Sequence, residues 1–122
     1  MHFDSTAEHF VTLLDSHYLP QGLRLYRSPE QQPASFHLWI VATDEVCDGT
    51  LRRLKLAHAA VLSLKEVENE RLLSIKPGRS IGEYCWTLTP FLPDCVFNRA
   101  RGVARVTYLD ADMYFFDRWA DL

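Results

Sequence analysis

Two acids one residue apart, Asp110 and Asp112, sit between two apolar runs, Val106-Thr107-Tyr108-Leu109 and Met113-Tyr114-Phe115-Phe116. The first run is short, aromatic and β-branched, which predicts a buried strand with the acids at its carboxyl end. In an open α/β sheet that edge binds ligands, at the point where strand order reverses. Two carboxylates held together there repel one another unless a cation lies between or beside them. A hard divalent ion, Mg²⁺ or Mn²⁺, suits oxygen ligands and can bridge to a diphosphate. The spacing also fits a simpler role, in which Asp110 ends a strand and Asp112 caps a turn, both solvated.

The elements that must position these acids follow from the hydrophobic pattern. His9-Phe10-Val11-Thr12-Leu13-Leu14 predicts a first strand buried on both faces. Asp15 and Ser16 can cap a helix running from about Tyr18 to Ser28, with Leu19, Leu23 and Tyr26 on one side and Pro29 as its stop. Phe36 to Ala42 predicts a second strand, after which Thr43 and Asp44 cap a helix over Val46, Leu51 and Leu54. Ala60 to Leu64 predicts a third strand, Lys65 to Leu73 a helix, and Pro77-Gly78 its end. From Ser80 a longer helical pattern runs to Val96. Pro90 and Pro93 predict a kink or a restart with Thr89 as cap. Strands alternating with helices four times predict right-handed crossovers and a Rossmann-like, mainly parallel α/β sheet with flanking helices. With strands one to three progressing to one side and the fourth returning beside the first, the switch point falls between strands one and four. Leu14-Asp15-Ser16 and Asp110-Ala111-Asp112 then flank one crevice.

Composition narrows the class. A chain of 122 residues suffices for one domain, here residues 1–122, and is too short for two. Thirteen basic and 16 acidic residues give a net charge of −3, and no basic cluster occurs, which argues against a nucleic-acid surface. No apolar run reaches the length of a membrane span, and no signal-peptide pattern is visible at Met1-His2-Phe3-Asp4-Ser5. Cys47, Cys85 and Cys95 form no C-x-x-C, which suits a reducing, cytoplasmic setting and gives no zinc site. The five histidines are scattered without ligand spacing and read as surface or half-buried residues.

Four pieces in order resemble a family. They are Phe10-Val11-Thr12-Leu13 with Tyr18 and Gly22; Arg79-Ser80 with Glu83-Tyr84; Cys85-Trp86-Thr87-Leu88-Thr89; and Leu109-Asp110-Ala111-Asp112. Together they resemble the N-terminal half of a GT-A-fold glycosyltransferase, in particular the glycogenin-like members of glycosyltransferase family 8 and related bacterial nucleotide-sugar transferases. The likeness extends over most of residues 10–116. It implies metal-dependent transfer of a sugar from a nucleoside diphosphate sugar, a UDP-sugar foremost, to an acceptor hydroxyl. It implies a nucleobase and ribose site at Leu13, Asp15, Ser16 and Tyr18, with the Tyr18 ring stacking on a uracil-like base. Without the resemblance, Tyr18 reads as a residue packed between helix and sheet. Arg79 matches a diphosphate-binding arginine. Asp110, Ala111 and Asp112 match the nucleotide- and metal-binding segment, with Asp110 and Asp112 holding Mn²⁺ or Mg²⁺. Cys85, Trp86 and Leu88 read as core.

The chain also departs from the family. Gly82 stands where the family carries a lysine near the donor sugar, and Lys76 or Arg79 could replace its charge. The chain stops at Leu122, ten residues past Asp112, whereas the family continues into the acceptor pocket and the rest of the metal site. This implies a domain incomplete at its carboxyl end: a glycosyltransferase, its donor-binding half, or a non-catalytic nucleotide-binding or interaction module. A phosphatase with Asp110 as nucleophile needs its acid pair on the first strand and a later lysine, and neither is present. A sheet ending after the fourth strand leaves Met113 to Phe116 uncovered. The isolated chain is therefore expected to self-associate, and monodisperse monomer at high concentration in sedimentation equilibrium would contradict this.

Overall fold

The computed structural model describes residues 8–30, 36–100, 102–103 and 105–109. The described residues form an α/β domain whose four-stranded sheet is wholly parallel, in the order β3-β2-β1-β4. Here β1 is Glu8–Leu14, β2 Phe36–Ala42, β3 Ala59–Ser63 and β4 Val106–Tyr108. β1 lies inside the sheet. Seven of its residues register against β2, from Glu8 with Phe36 to Leu14 with Ala42. On the other side His9, Phe10 and Val11 register against Val106, Thr107 and Tyr108. The Leu109 amide then donates to the Val11 carbonyl at 2.9 Å and carries the pairing one step further.

Helices cover both faces. Crossovers of one hand place α1 (Leu19–Glu30) and α2 (Glu45–Leu54) on the same face while the strand order runs one way. Return to β4 beside β1 reverses direction, so α3 (Leu64–Val67), α4 (Glu70–Ile75), α5 (Ile81–Leu88) and α6 (Leu92–Arg99) belong to the other face. The buried clusters follow that division. Phe10, Leu14, Leu38 and Ile40 pack with Leu25 and Tyr26 of α1 and Cys47 and Leu51 of α2. Val11, Trp39, Val41 and Leu62 pack with Val67, Leu92 and Val96. A smaller cluster of Leu72, Tyr84 and Leu88 joins α4 to α5.

Local chemistry sets the element ends. β1 stops where the Asp15 carboxylate accepts the His17 and Tyr18 amides and opens a 3-10 turn, Ser16–Tyr18, that leads into α1. α1 then crosses so close to β1 that a Cβ on Gly22 would lie 2.5 Å from Leu14 Cδ2, and any larger residue there would force the Leu14 side chain to shift. Pro29 falls within the final turn of α1, which ends one residue later at Glu30.

Three helical expectations are corrected. In α2 the buried pair is Cys47 and Leu51, one turn apart, whereas Val46 and Leu54 are exposed. Position 46 is rotated off the face that position 47 presents to the sheet. The helix expected over 65–73 is two helices, because Asn69 caps α4 by accepting the Leu72 amide at 2.9 Å. Between them Glu68 turns inward, accepting from Lys76 Nζ at 2.9 Å and from the Tyr84 hydroxyl. Thr89 does not cap α6. Its hydroxyl donates back to the Cys85 carbonyl at 3.0 Å, and the chain passes from α5 through a 3-10 turn, Thr89–Phe91, into α6 without a break.

The histidines also depart from expectation. His9 is fully buried, and its Nδ1 accepts from Trp39 Nε1 at 3.1 Å, which satisfies both polar groups inside the core. His37, its register partner on β2, lies 5.5 Å from it, centroid to centroid. Burial lowers the His37 pKa to about 4, with help from the charges that His9 and His58 would carry. The unfolded chain takes up this proton near pH 6.5 and the folded chain only near 4. The contribution of neutral His37 is therefore present above about pH 6.5 and lost as pH falls through that window. Urea midpoints are expected to drop between pH 7 and pH 4.5, and His37→Gln to reduce that drop; an equal drop in the variant would refute it.

Candidate nucleotide site at the carboxyl edge of the sheet

Strand order places the reversal between β1 and β4, so the loop leaving β1 and the chain leaving β4 depart towards opposite faces. The β1 side is described in full. Leu13, the penultimate residue of the strand, is half-buried and packs against the cluster that includes Val11 and Leu92. Asp15 Oδ1 accepts the His17 amide at 2.9 Å and the Tyr18 amide at 3.2 Å. Tyr18 is 54% exposed, so it is not packed between helix and sheet and its ring is open at this edge. Cys85 on α5 lies close enough for the Asp15 charge to reinforce the effect of burial, which is the larger, in pushing its thiol up. That shift leaves Cys85 a protonated thiol, not a nucleophile.

The two loops at this edge are tied together. The Leu14 carbonyl accepts from the Thr43 amide at 2.9 Å and from its hydroxyl at 3.3 Å. Asp44 receives the Cys47 amide on Oδ1 at 2.7 Å, capping α2, and the Ser16 amide on Oδ2 at 2.8 Å. One carboxylate thus fixes the start of α2 and the turn that presents Tyr18. The two amides, Cys47 first and Ser16 second, hold Asp44 below the usual carboxylate range. The cap of α2 is legible in the sequence, but the Ser16 contact, made 28 residues away, is not. A faint signal does exist: after neighbouring strands, Leu14-Asp15-Ser16 and Ala42-Thr43-Asp44 each follow an apolar residue with one acid and one hydroxyl, in opposite order.

The remaining site residues divide into two groups. Arg79 is exposed on the turn before Ser80, whose side chain and Glu83 form a reciprocal cap on α5. Among the described residues no hydrogen bond or ion pair joins Arg79 to Asp15, Ser16 or Tyr18. Lys76, offered as a substitute for the missing family lysine, is committed to Glu68 and sits 5.1 Å from the centre of the Tyr84 ring. Trp86 corrects an expectation too. It is 78% exposed, not core, whereas Leu88 is buried and Cys85 half-buried. Asp110, Ala111 and Asp112 lie outside the described residues, as do Met113 to Phe116; Leu109, buried beside β1, is the last residue before them. No group of three or more histidines, cysteines or acids able to hold a metal occurs among the described residues. No helix among them is long and apolar enough to cross a membrane.

Asp44→Ala removes a cap and leaves the Ser16 amide without its partner, an expected loss of about 1–2 kcal/mol in urea unfolding at pH 7. The charged form of Asp44 stabilises above the ordinary carboxylate pKa, and that contribution fades as pH falls through the lower folded value. A variant as stable as the parent would show that Asp44 does not join the two loops.

No protein-family model matches the chain. Two curated proteins of Bacillus subtilis (strain 168) are similar to it. Uncharacterized protein YfnF is 34% identical over 107 residues, which cover 88% of this chain and 35% of YfnF. Uncharacterized protein YfnD is 27% identical over 108 residues, covering 88% of this chain and 35% of YfnD. The chain spans about a third of the length of the curated relatives it matches.

Proposed function

We propose that this chain is the donor-binding half of a metal-dependent, GT-A-type glycosyltransferase that uses a nucleoside diphosphate sugar. The observation that carries this is the pairing of Leu109 with Val11. It sets the residue immediately before Asp110-Ala111-Asp112 against β1, the strand that carries Leu13, ends in Leu14 and opens into Asp15, Ser16 and Tyr18. Base and ribose then belong to the β1 side, with Tyr18 as the stacking surface, and the diphosphate belongs to the acids, with Arg79 as a further candidate contact.

The donor chemistry supports a hard cation held by the acid pair. Asp44 spends both its oxygens on amides and Asp15 spends Oδ1 on two. The resemblance assigns Mn²⁺ or Mg²⁺ to Asp110 and Asp112, whose carboxylates suit such an ion. When bound, the ion neutralises charge developing on the leaving diphosphate as the sugar passes to the acceptor hydroxyl. We assign no general base or nucleophile. The UDP-sugar donor, the acceptor and the cytoplasmic location, the last resting on three free cysteines, belong to the same proposal.

Calorimetric titration with UDP, then GDP, with and without Mn²⁺, tests it. Metal-dependent UDP binding is expected, lost in Asp112→Ala. Loss of the base stack in Tyr18→Ala should cost about 1–3 kcal/mol, read as roughly a 5- to 150-fold weaker Kd. A folded chain that binds neither nucleotide, with or without metal, would overturn the proposal.

A further inference from the structure

A second feature lies on the other side of the sheet. β3 is the outermost described strand there, and beside it runs a groove of about 630 Å³. Leu51 and Leu56 line it together with the strand itself, and Arg52, Lys55 and Arg99 stand around it. The backbone of β3 is partly free. The His58 carbonyl accepts the Leu38 amide at 2.8 Å, so in this parallel pairing Ala60 and Leu62 turn their peptide groups to β2, while Ala59, Val61 and Ser63 turn theirs outward. The outward amide of Ala59 is held by the Leu56 carbonyl at 3.4 Å, and that of Ser63 by the Glu66 carboxylate at 3.2 Å. Among the described residues this leaves the Ala59 carbonyl and both peptide groups of Val61 on the outer edge of the strand without a backbone hydrogen bond, beside the groove. Neither a charge nor a proline interrupts Ala59–Ser63, although such residues commonly guard an edge strand.

We propose that this edge receives an extended, acidic segment of another protein as an added strand. Main-chain hydrogen bonds to Val61 would hold it, and an alternate side chain would enter the space beside Leu51 and Leu56. Charge selects the partner. Three cations and no acid line the groove. Glu66, within 3.1 Å of Arg52 and 3.8 Å of Arg99, and Asp48, which pairs with Arg52, offset only part of that charge. Lys55 is exposed, makes no ion pair among the described residues, and holds a left-handed backbone (φ 49°) at the end of α2. A second copy of this chain is a poor occupant, because pairing β3 on β3 about a twofold axis would set the same cations against one another.

Fluorescence anisotropy of the full chain with a labelled heptapeptide that alternates valine with glutamate tests the inference. Saturable binding is expected, weakening as salt rises. A peptide with lysine for each glutamate, and a glutamate peptide N-methylated at alternate residues, should each bind at least about tenfold more weakly. Lys55→Gly, which suits the left-handed backbone and so preserves the fold, should weaken binding roughly 2- to 5-fold. Absence of saturable binding, equal binding of the lysine or N-methylated peptide, or self-pairing that excludes the peptide would each overturn it.

Discussion

β1 has a bonded neighbour on each side and a helical layer on each face. That enclosure is the constraint on which the rest of the molecule depends. A strand enclosed in this way must satisfy its peptide groups in the sheet and its inward side chains by packing. Phe10, Val11 and Leu14 meet the demand with apolar side chains, and His9 meets it through the Trp39 indole. Thr12 meets it incompletely. It is fully buried, and its hydroxyl has no hydrogen-bond partner among the described residues. Such an orphan typically costs about 1–3 kcal/mol. Function is thereby confined to the strand's end, the first point where polar groups can meet water.

At that end, positioning is done by backbone amides and carboxylates, with few long side chains involved. Thr43 ties β1 to the loop after β2, and Asp44 ties the turn before Tyr18 to the start of α2. A ring presented on such a turn is restrained at its base and free at its face. On the opposite layer, Glu68 performs a comparable task for the helices. Burial alone would raise its pKa, but the Tyr84 hydroxyl and the Lys76 ammonium outweigh that effect and keep it low. The same carboxylate locks α5 to the break between α3 and α4 and engages the Lys76 ammonium.

What the sequence made legible and what it hid divide along physical lines. The strands were readable because β1 and β2 are continuous runs of β-branched, aromatic and aliphatic residues, the mark of strands buried on both faces. Alternation of strands and helices pointed to a parallel sheet, but the order β3-β2-β1-β4 was an assumption that only the structure establishes. Caps at Asp15 and Asp44 were readable from residue type, since a cap is a local interaction. Contacts between distant segments were not. Nothing near Glu68 in the chain announces that Tyr84 and Lys76 will enclose it, so one helix was expected where two exist. The facing of α2 was misjudged because Cys47 was not counted among its apolar residues, although a free cysteine buries as readily as valine. Trp86 looked like core by composition, yet side-chain direction is set by where the helix lies on the sheet.

The Arg105–Glu8 ion pair joins β4 to β1 across 97 positions of sequence. During synthesis β1 emerges well before its partner β4, which follows 97 positions later. At about 5–20 residues per second, β1 waits on the order of 5–20 seconds with one ladder unfilled, long after β2 has been made. Folding to a closed sheet is therefore a late event governed by closure of a single long loop. Until it happens, the nascent chain carries an apolar strand edge at its centre, the kind of surface that holding chaperones recognise and that neighbouring nascent chains on a polysome could capture.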